Sequence, residues 1–187
     1  MGDQTERKTR SDAVRNRERL LRAARDVFAE QGHDAPLEEV AQAASVSRAT
    51  LYRHFPTRED LAMVVYEENV SNIEIRSGEL RDADLGVVEL FDFVLDSQRS
   101  SRSLAQVLSG ADLRWLTNLS ARTGEAFRPL LEQGIRSGIA YPDVTPDDIL
   151  VAIAMAGFAW TDNERAGRGP MNEQVKRMLH RALFIES

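Results

Sequence analysis

Arg48, Thr50, Tyr52, Arg53 and His54 bring two guanidinium groups, two hydroxyls and an imidazole into seven consecutive residues. Guanidinium groups donate hydrogen bonds to guanine edges or to phosphates, and hydroxyls donate to phosphates. The methyl group of threonine can also contact the methyl group of thymine. Residues of these types, if they share one face of a helix, are typical of a surface that enters a DNA groove.

A short helix over Arg48–Phe55 would position these groups. Leu51 and Phe55 are four residues apart and would both point inward, which leaves the polar residues outside. Ser47 is a good N-cap, because its hydroxyl can accept a hydrogen bond from a free N–H of the first turn. The pattern therefore predicts a helix with an apolar inner face and a basic, hydroxyl-rich outer face.

A second short helix is predicted just before it, over residues 37–44, because Leu37, Val40, Ala41 and Ala44 recur with a helical period. The three residues between the two helices can form only a turn. Two short helices joined by a tight turn are the plan of a helix-turn-helix, in which the second helix reads the major groove.

Residues 46–61, VSRATLYRHFPTREDL, resemble the DNA-binding signature of TetR-family transcriptional regulators. The resemblance extends back to Leu20 and covers about the first third of the chain. It implies an all-α fold, a palindromic double-stranded DNA operator, a small-molecule inducer and a homodimer. On this resemblance and on the outward positions, the predicted DNA-binding residues are Ser47, Arg48, Ala49, Thr50, Tyr52, Arg53, His54 and Arg58.

The chain departs from the family pattern at the turn and before it. Ser45 stands where glycine is usual, and a serine in the left-handed conformation would cost about 1 kcal/mol. Arg58 stands where lysine is common, which keeps the positive charge. Ala35 and Pro36 replace a hydroxyl residue that many members use to bind phosphate, so that contact is not expected here.

The charge distribution favours the same end of the chain. The net charge is −6, yet Arg7 to Arg25 contains eight basic and two acidic residues. A basic segment on an otherwise acidic chain is expected where one end meets phosphate. Because no apolar residue is expected to anchor it before Leu20, residues 7–19 are expected to be disordered in the free protein.

The whole chain is expected to be all-α, with about nine helices. Residues 1–55 are predicted to form a helix-turn-helix domain with a basic N-terminal arm, and residues 56–187 a ligand-binding and dimerisation domain. The expected helices outside the motif span residues 12–31, 57–80, 85–99, 103–109, 111–137, 146–161 and 172–184.

Two sets of residues in the second domain are candidates for function. The resemblance implies a ligand pocket, for which the apolar and aromatic candidates are Met63, Tyr66, Phe91, Leu95, Trp115, Leu116, Phe127 and Trp160, with Asn69 and Asn118 as polar ones. Their alternative role is ordinary core packing.

The run from Ile149 to Trp160 is apolar nearly all round, which predicts cover on several sides. The resemblance implies dimerisation through the last two helices. The predicted interface residues are Ile149, Ala152, Ile153, Ala156, Gly157, Trp160, Val175, Met178, Leu179 and Ala182.

An enzyme is not expected. The three histidines are far apart and lack metal-ligand spacing, and neither a P-loop nor a nucleophile motif is present, so no metal or cofactor is predicted. Neither a signal peptide nor an apolar run of membrane-spanning length is found, and a cytoplasmic location is expected. The alternative function is a ligand-independent architectural or protein-interaction module that uses the same motif.

Overall fold

The computed structural model describes residues 2–32, 34–165, 167 and 171–185, without the side chains of residues 2–11, 99–103, 105, 106, 109 and 161–165. Within these ranges the chain forms eight α-helices and one short 3-10 helix, Leu108–Gly110. The α-helices are α1 (Gly2–Gln31), α2 (Leu37–Ala43), α3 (Arg48–His54), α4 (Arg58–Glu79), α5 (Gly86–Val107), α6 (Leu113–Arg136), α7 (Pro146–Arg165) and α8 (Met171–Leu183). The all-α prediction is confirmed.

The chain divides into two compact units. The first comprises Met1–Tyr66 and Ser100–Ala111, and the second Glu67–Arg99 and Asp112–Ser187. Helices α4 and α5 each contribute to both units. The first compact unit thus ends at Tyr66 and also includes residues 100–111. The boundary at residue 55 between a DNA-binding domain and a ligand-binding domain stays a prediction.

In the first unit α1, α2 and α3 pack against one another around an apolar core. The core is formed by fully buried side chains from all three helices and the start of α4, among them Leu20, Leu21, Ala24, Phe28, Val40, Leu51, Phe55 and Leu61. Leu20, Leu21, Ala24 and Phe28 therefore form the buried face of α1.

In the second unit α6 packs against α7, and α7 packs against α8. Phe91, Phe127 and Trp160 lie in one apolar cluster with side chains from all of these helices. Gly134 permits close packing, because a Cβ there would lie 2.8 Å from Cγ1 of Val87. A short antiparallel bridge joins Ala140 to Phe184 and ties the loop before α7 to the residues after α8.

Helix ends follow the local signals of the sequence. Gly32 ends α1 with φ +88° and donates its N–H to the carbonyl oxygen of Phe28 at 3.1 Å. Thr57 caps α4 by accepting the N–H of Asp60 at 3.0 Å, while the Asp60 carboxylate accepts the N–H of Thr57 at 3.0 Å. This reciprocal capping box fixes where α4 begins.

The predicted start of α1 and the predicted break within α5 are wrong. Helix α1 begins at Gly2 rather than near Asp12, so the expectation of a disordered segment over residues 7–19 is not met. The predicted helices 85–99 and 103–109 form one continuous helix, α5, because no glycine or proline separates them. The count of helices therefore falls by one in the part of the chain that the structure describes. No described helix is long and apolar enough to cross a membrane.

Candidate nucleic-acid interface

The turn between α2 and α3 depends on a serine in a glycine-like conformation. Ser45 has φ +53°, as the sequence comparison with the family pattern predicts. Its N–H donates to the carbonyl oxygen of Gln42 at 2.9 Å, and the next N–H, of Val46, donates to that of Ala41 at 3.0 Å. These bonds end α2 and turn the chain toward α3, so the left-handed residue is required by the geometry of the turn.

Ser47 caps α3 as predicted. Its Oγ accepts the N–H of Thr50 at 3.1 Å and lies 2.9 Å from the Thr50 hydroxyl. Leu51 and Phe55 are buried to 0% and 1% exposure, which fixes the rotation of the helix about its axis. The outward direction of the polar residues follows from these two contacts.

The side chains on the outer face of α3 are exposed to solvent. The Arg48 side chain is 69% accessible and Tyr52 is 41% exposed, while Ala49 and Arg53 are also exposed. The small side chain of Ala49 leaves room for another backbone to approach α3. The predicted surface position of Tyr52 is therefore confirmed, whereas contact of these residues with DNA remains a prediction.

A residue that the sequence did not predict, Glu38, contacts the outer face of α3. Glu38, in the first turn of α2, accepts hydrogen bonds at one carboxylate oxygen from Nη2 of Arg48 and, at 3.1 Å, from the hydroxyl of Tyr52. A hydrogen bond with its own backbone and the bonds from Tyr52 and Arg48 lower the pKa of Glu38. Sequence spacing gives no signal for this contact, because it depends on the angle between α2 and α3.

His54 is placed differently from the other candidates. Its Nε2 is buried and has no hydrogen-bond partner among the described residues. Burial, followed by the charges of Arg53 and Arg17, lowers the pKa of His54, so the neutral ring is favoured. The predicted DNA contact of His54 therefore cannot use Nε2 in this conformation.

Three arginines near α3 contact the protein itself. The guanidinium carbon of Arg58 lies 5.5 Å from the ring centroid of Phe28, and that of Arg17 lies 5.7 Å from the ring of Phe55. Nη2 of Arg19 donates to the carbonyl oxygen of Ser45 at 3.5 Å. Residues of α1 thus contact both the turn and the end of α3, which links the basic helix to the predicted reading helix.

The predicted dimer interface requires a correction on α7. Its side chains at Ile149, Ala152, Ile153, Ala156 and Trp160 are at most 5% exposed, and Leu179 on α8 is 9% exposed, because they pack in the core of the second unit. The large apolar side chains exposed on the described part of α7 are Val151 and Met155, each 58% exposed, and Phe158, 80% exposed. Of the predicted set, Met178 and Ala182 on α8 are exposed, and Gly157 and Val175 are partly exposed.

The predicted pocket residues are divided between the two units and differ in exposure. Phe91, Leu95, Phe127 and Trp160 are buried in the core of the second unit, which is their alternative role. The first unit contains Met63 and Tyr66, and burial raises the pKa of Tyr66 to about 12. The remaining candidates are the partly exposed Asn69, Trp115 and Leu116 and the exposed Asn118 of the second unit.

One polar network holds part of the second unit together. The indole N–H of Trp115 donates to Oε1 of Glu67 at 2.8 Å, and Nη1 of Arg122 donates to Oε2 of the same residue at 2.7 Å. Arg122 also donates to both oxygens of Glu74, each at 2.8 Å. Trp115 is thus a member of an α4–α6 network in this structure. Asn118 instead lines an open surface groove with Asp112, Leu113, Arg114, Thr117 and Ala121.

Comparisons with known proteins agree with a helix-turn-helix in the first unit. Residues 20–64 match the sequence profile of bacterial regulatory proteins of the tetR family. The uncharacterized HTH-type transcriptional regulator TtgW of Pseudomonas putida is 31% identical over 57% of this chain and 83% of its own length. The A-factor receptor protein of Streptomyces griseus is 24% identical over 91% of this chain, which spans 63% of the receptor's length.

A solved structure has the same fold along nearly the whole chain. The TetR transcription regulatory protein from Mycobacterium vanbaalenii superposes with a TM-score of 0.70 at 27% identity, and the match covers 95% of this chain and 99% of that one. The likeness therefore includes the second unit as well as the helix-turn-helix.

Proposed function

Because the chain belongs to the TetR family of helix-turn-helix transcriptional regulators, we propose that it binds double-stranded DNA and represses transcription as a homodimer. A small-molecule inducer then releases it from the operator. This function needs no catalytic step and no cofactor, and it is exercised in the cytoplasm, where the DNA lies.

The observation that carries the proposal is the orientation of α3. Leu51 and Phe55 are buried beneath it, and Arg48, Tyr52 and Arg53 face outward from it. A helix of this kind can enter the major groove, which is wide enough to admit it. Arg48, in the first turn, would read a base edge, because recognition helices contact bases mainly through their N-terminal residues.

A second copy of the chain is the proposed cover for the apolar face of α7. Val151, Met155 and Phe158 follow one another at intervals of four and three residues, so they form one stripe, and all three are more than half exposed. Contiguous exposed apolar side chains mark interaction surfaces. A two-fold dimer would present two α3 helices about 34–36 Å apart to successive major grooves of a palindromic operator.

Release by a ligand follows from the same geometry. A small molecule that binds better to a conformation with another separation of the α3 helices shifts the population away from the DNA-competent form. By linkage, DNA then weakens that ligand by the same factor. The relative named as an A-factor receptor supports a ligand-responsive second unit here. A solved gamma-butyrolactone receptor has the same fold, with a TM-score of 0.57 at 21% identity.

The packed aromatic core favours one alternative. Phe91 and Phe127 are 0% exposed, which is the expected arrangement if the second unit is a filled structural core. In that case the protein would be a ligand-independent DNA-binding module.

A γ-butyrolactone is a suitable first probe for a ligand. Release of the protein from DNA, together with a raised melting temperature of the protein, supports the inducer hypothesis.

DNA binding is tested with a duplex selected from a randomised pool by repeated rounds of binding. Arg48→Ala should reduce the preference for this duplex over a random duplex of equal length, because a bidentate base contact contributes about 1–3 kcal/mol of discrimination. Arg58→Ala should weaken both duplexes equally and reduce the salt dependence by about one phosphate contact. Failure of selection to enrich any sequence would contradict the proposed function.

A further inference from the structure

We propose that Glu38 is a positioning residue: it holds Arg48 and Tyr52 in a fixed arrangement and thereby sets the preference of the protein for its operator over other DNA. This inference rests on the proposed role of Arg48 at a base edge. Glu38 itself contacts the reading helix rather than the DNA.

Glu38 on α2 contacts two side chains that lie on adjacent turns of α3. Arg48 and Tyr52 are four residues apart on α3 and therefore lie on the same face. Both donate to the same oxygen, Oε1, of Glu38 on α2, ten and fourteen residues earlier in the chain. A single carboxylate thus determines the direction of two of the outward side chains.

This contact has little to do with the stability of the fold. The side chains of Arg48 and Glu38 are 69% and 36% exposed. Exposed ion pairs contribute little to folding, because water screens them and both side chains lose conformational freedom. The contact therefore affects DNA binding more than folding, because water is displaced from α3 in the complex with DNA.

In the complex with DNA, a guanidinium group that is already hydrogen-bonded to Glu38 loses less conformational entropy than an unrestrained one. Arginine carries five N–H donors in a rigid fork, and Glu38 occupies one of them through Nη2. The other donors stay available for the paired hydrogen bonds to a guanine edge. Since the rotamer is already restricted in the free protein, less conformational entropy is lost when the base contact forms.

The same carboxylate acts against binding to random sequence. Non-specific affinity comes from neutralising phosphates with cations. Glu38 cancels the charge of Arg48 and repels phosphate, so a DNA site that offers no base contact to Arg48 gains little. Glu38 therefore strengthens the specific complex relative to the non-specific one on two separate grounds.

The experiment compares Glu38→Gln with Glu39→Gln, which makes the same charge change at the next residue of α2. Affinity is measured for the selected duplex and for a random duplex of equal length, over a series of salt concentrations. Thermal melting, followed by circular dichroism, verifies that each variant is folded. Glu38→Gln should lower the ratio of selected to random affinity about fivefold or more. It should also tighten random-duplex binding and steepen its salt dependence by about one unit.

A double-mutant cycle shows whether Glu38 acts through Arg48. In an Arg48→Ala protein, Glu38→Gln should lower the affinity ratio much less than it does in the wild-type protein, because only the contact with Tyr52 remains. If it lowers the ratio by the same factor in both proteins, or if Glu38→Gln alone lowers it no more than Glu39→Gln does, the inference is overturned. Should Arg48→Ala alone leave the ratio at the wild-type value, the base contact of Arg48 is refuted and the positioning role of Glu38 is refuted with it.

Discussion

Phe158→Asp tests the proposed dimer face most directly. Phe158 is 80% exposed in the protomer, so its ring is free to be covered by a second copy. Covering a phenylalanine side chain is worth roughly 1.5–3 kcal/mol, of which about four-fifths is still available here. A two-fold interface contains the residue twice. The substitution should therefore cost about 2–5 kcal/mol per dimer and weaken dimerisation by at least about thirtyfold.

Ala156→Asp is the matched comparison, two residues away on the same helix. Ala156 is 0% exposed in the core of the second unit, so a charge there would be buried within the protomer and would unfold it. The sequence alone assigns Ala156 to the interface, whereas its side chain is buried within the protomer in this structure. The pair of variants therefore separates loss of assembly from loss of fold.

The assay is sedimentation velocity over a concentration series, with circular dichroism to follow folding. We expect Phe158→Asp to give a folded monomer at concentrations where the wild-type protein is a dimer, and to lose affinity for the selected duplex. A Phe158→Asp protein that dimerises as tightly as the wild type would refute the reasoning. So would an Ala156→Asp protein that keeps the wild-type melting temperature.

Three further predictions concern single positions. Ser45→Gly should raise the free energy of unfolding by about 0.5 kcal/mol in denaturant titrations, because relief of left-handed strain exceeds the added flexibility of the unfolded chain. Since burial holds the pKa of His54 below its ordinary value of 6.5, protonation opposes folding as the pH falls through 6.5. His54→Gln should therefore reduce the drop in melting temperature between pH 7.5 and 5.5, and an unchanged drop would contradict it. Hydrogen bonds from Arg122 lower the pKa of Glu74, so their stabilisation is present above its ordinary value of 4.5 and is lost below it. Arg122→Gln should lower the melting temperature at pH 7 and shrink its further fall toward pH 3, and equal falls in both proteins would exclude this pairing.

The features that sequence predicted correctly are local ones. The cap at Ser47 and the left-handed turn at Ser45 each depend on a few neighbouring residues. The burial of Leu51 and Phe55 follows from their spacing on one helix. Because the helix-turn-helix is built almost entirely from such local signals, its position and its outward face could be derived before the structure was known.

The errors have a different physical origin. On α7 nearly every residue between Ile149 and Trp160 is apolar, so periodicity cannot distinguish the side that faces the protomer core from the side that faces outward. The contact of Glu38 with α3 depends on how two helices cross, which no spacing along the chain encodes. Residues 2–11 lack an apolar anchor, so the sequence pattern places the start of α1 near Asp12. The helix begins at Gly2 instead, because arginine, glutamine, glutamate and lysine are themselves good helix formers.

The charges of the first unit show why a count along the chain is not enough to describe its surface. Eight basic residues between Arg7 and Arg25 suggest eight cations directed at phosphate. Yet Arg17 lies over the ring of Phe55, and Arg19 donates to the carbonyl oxygen of Ser45. These two arginines position the reading helix and its turn before any DNA is present. The basic segment therefore supports α3 from within the protein in addition to its proposed attraction of phosphate, and only the proposed role is visible in the net charge.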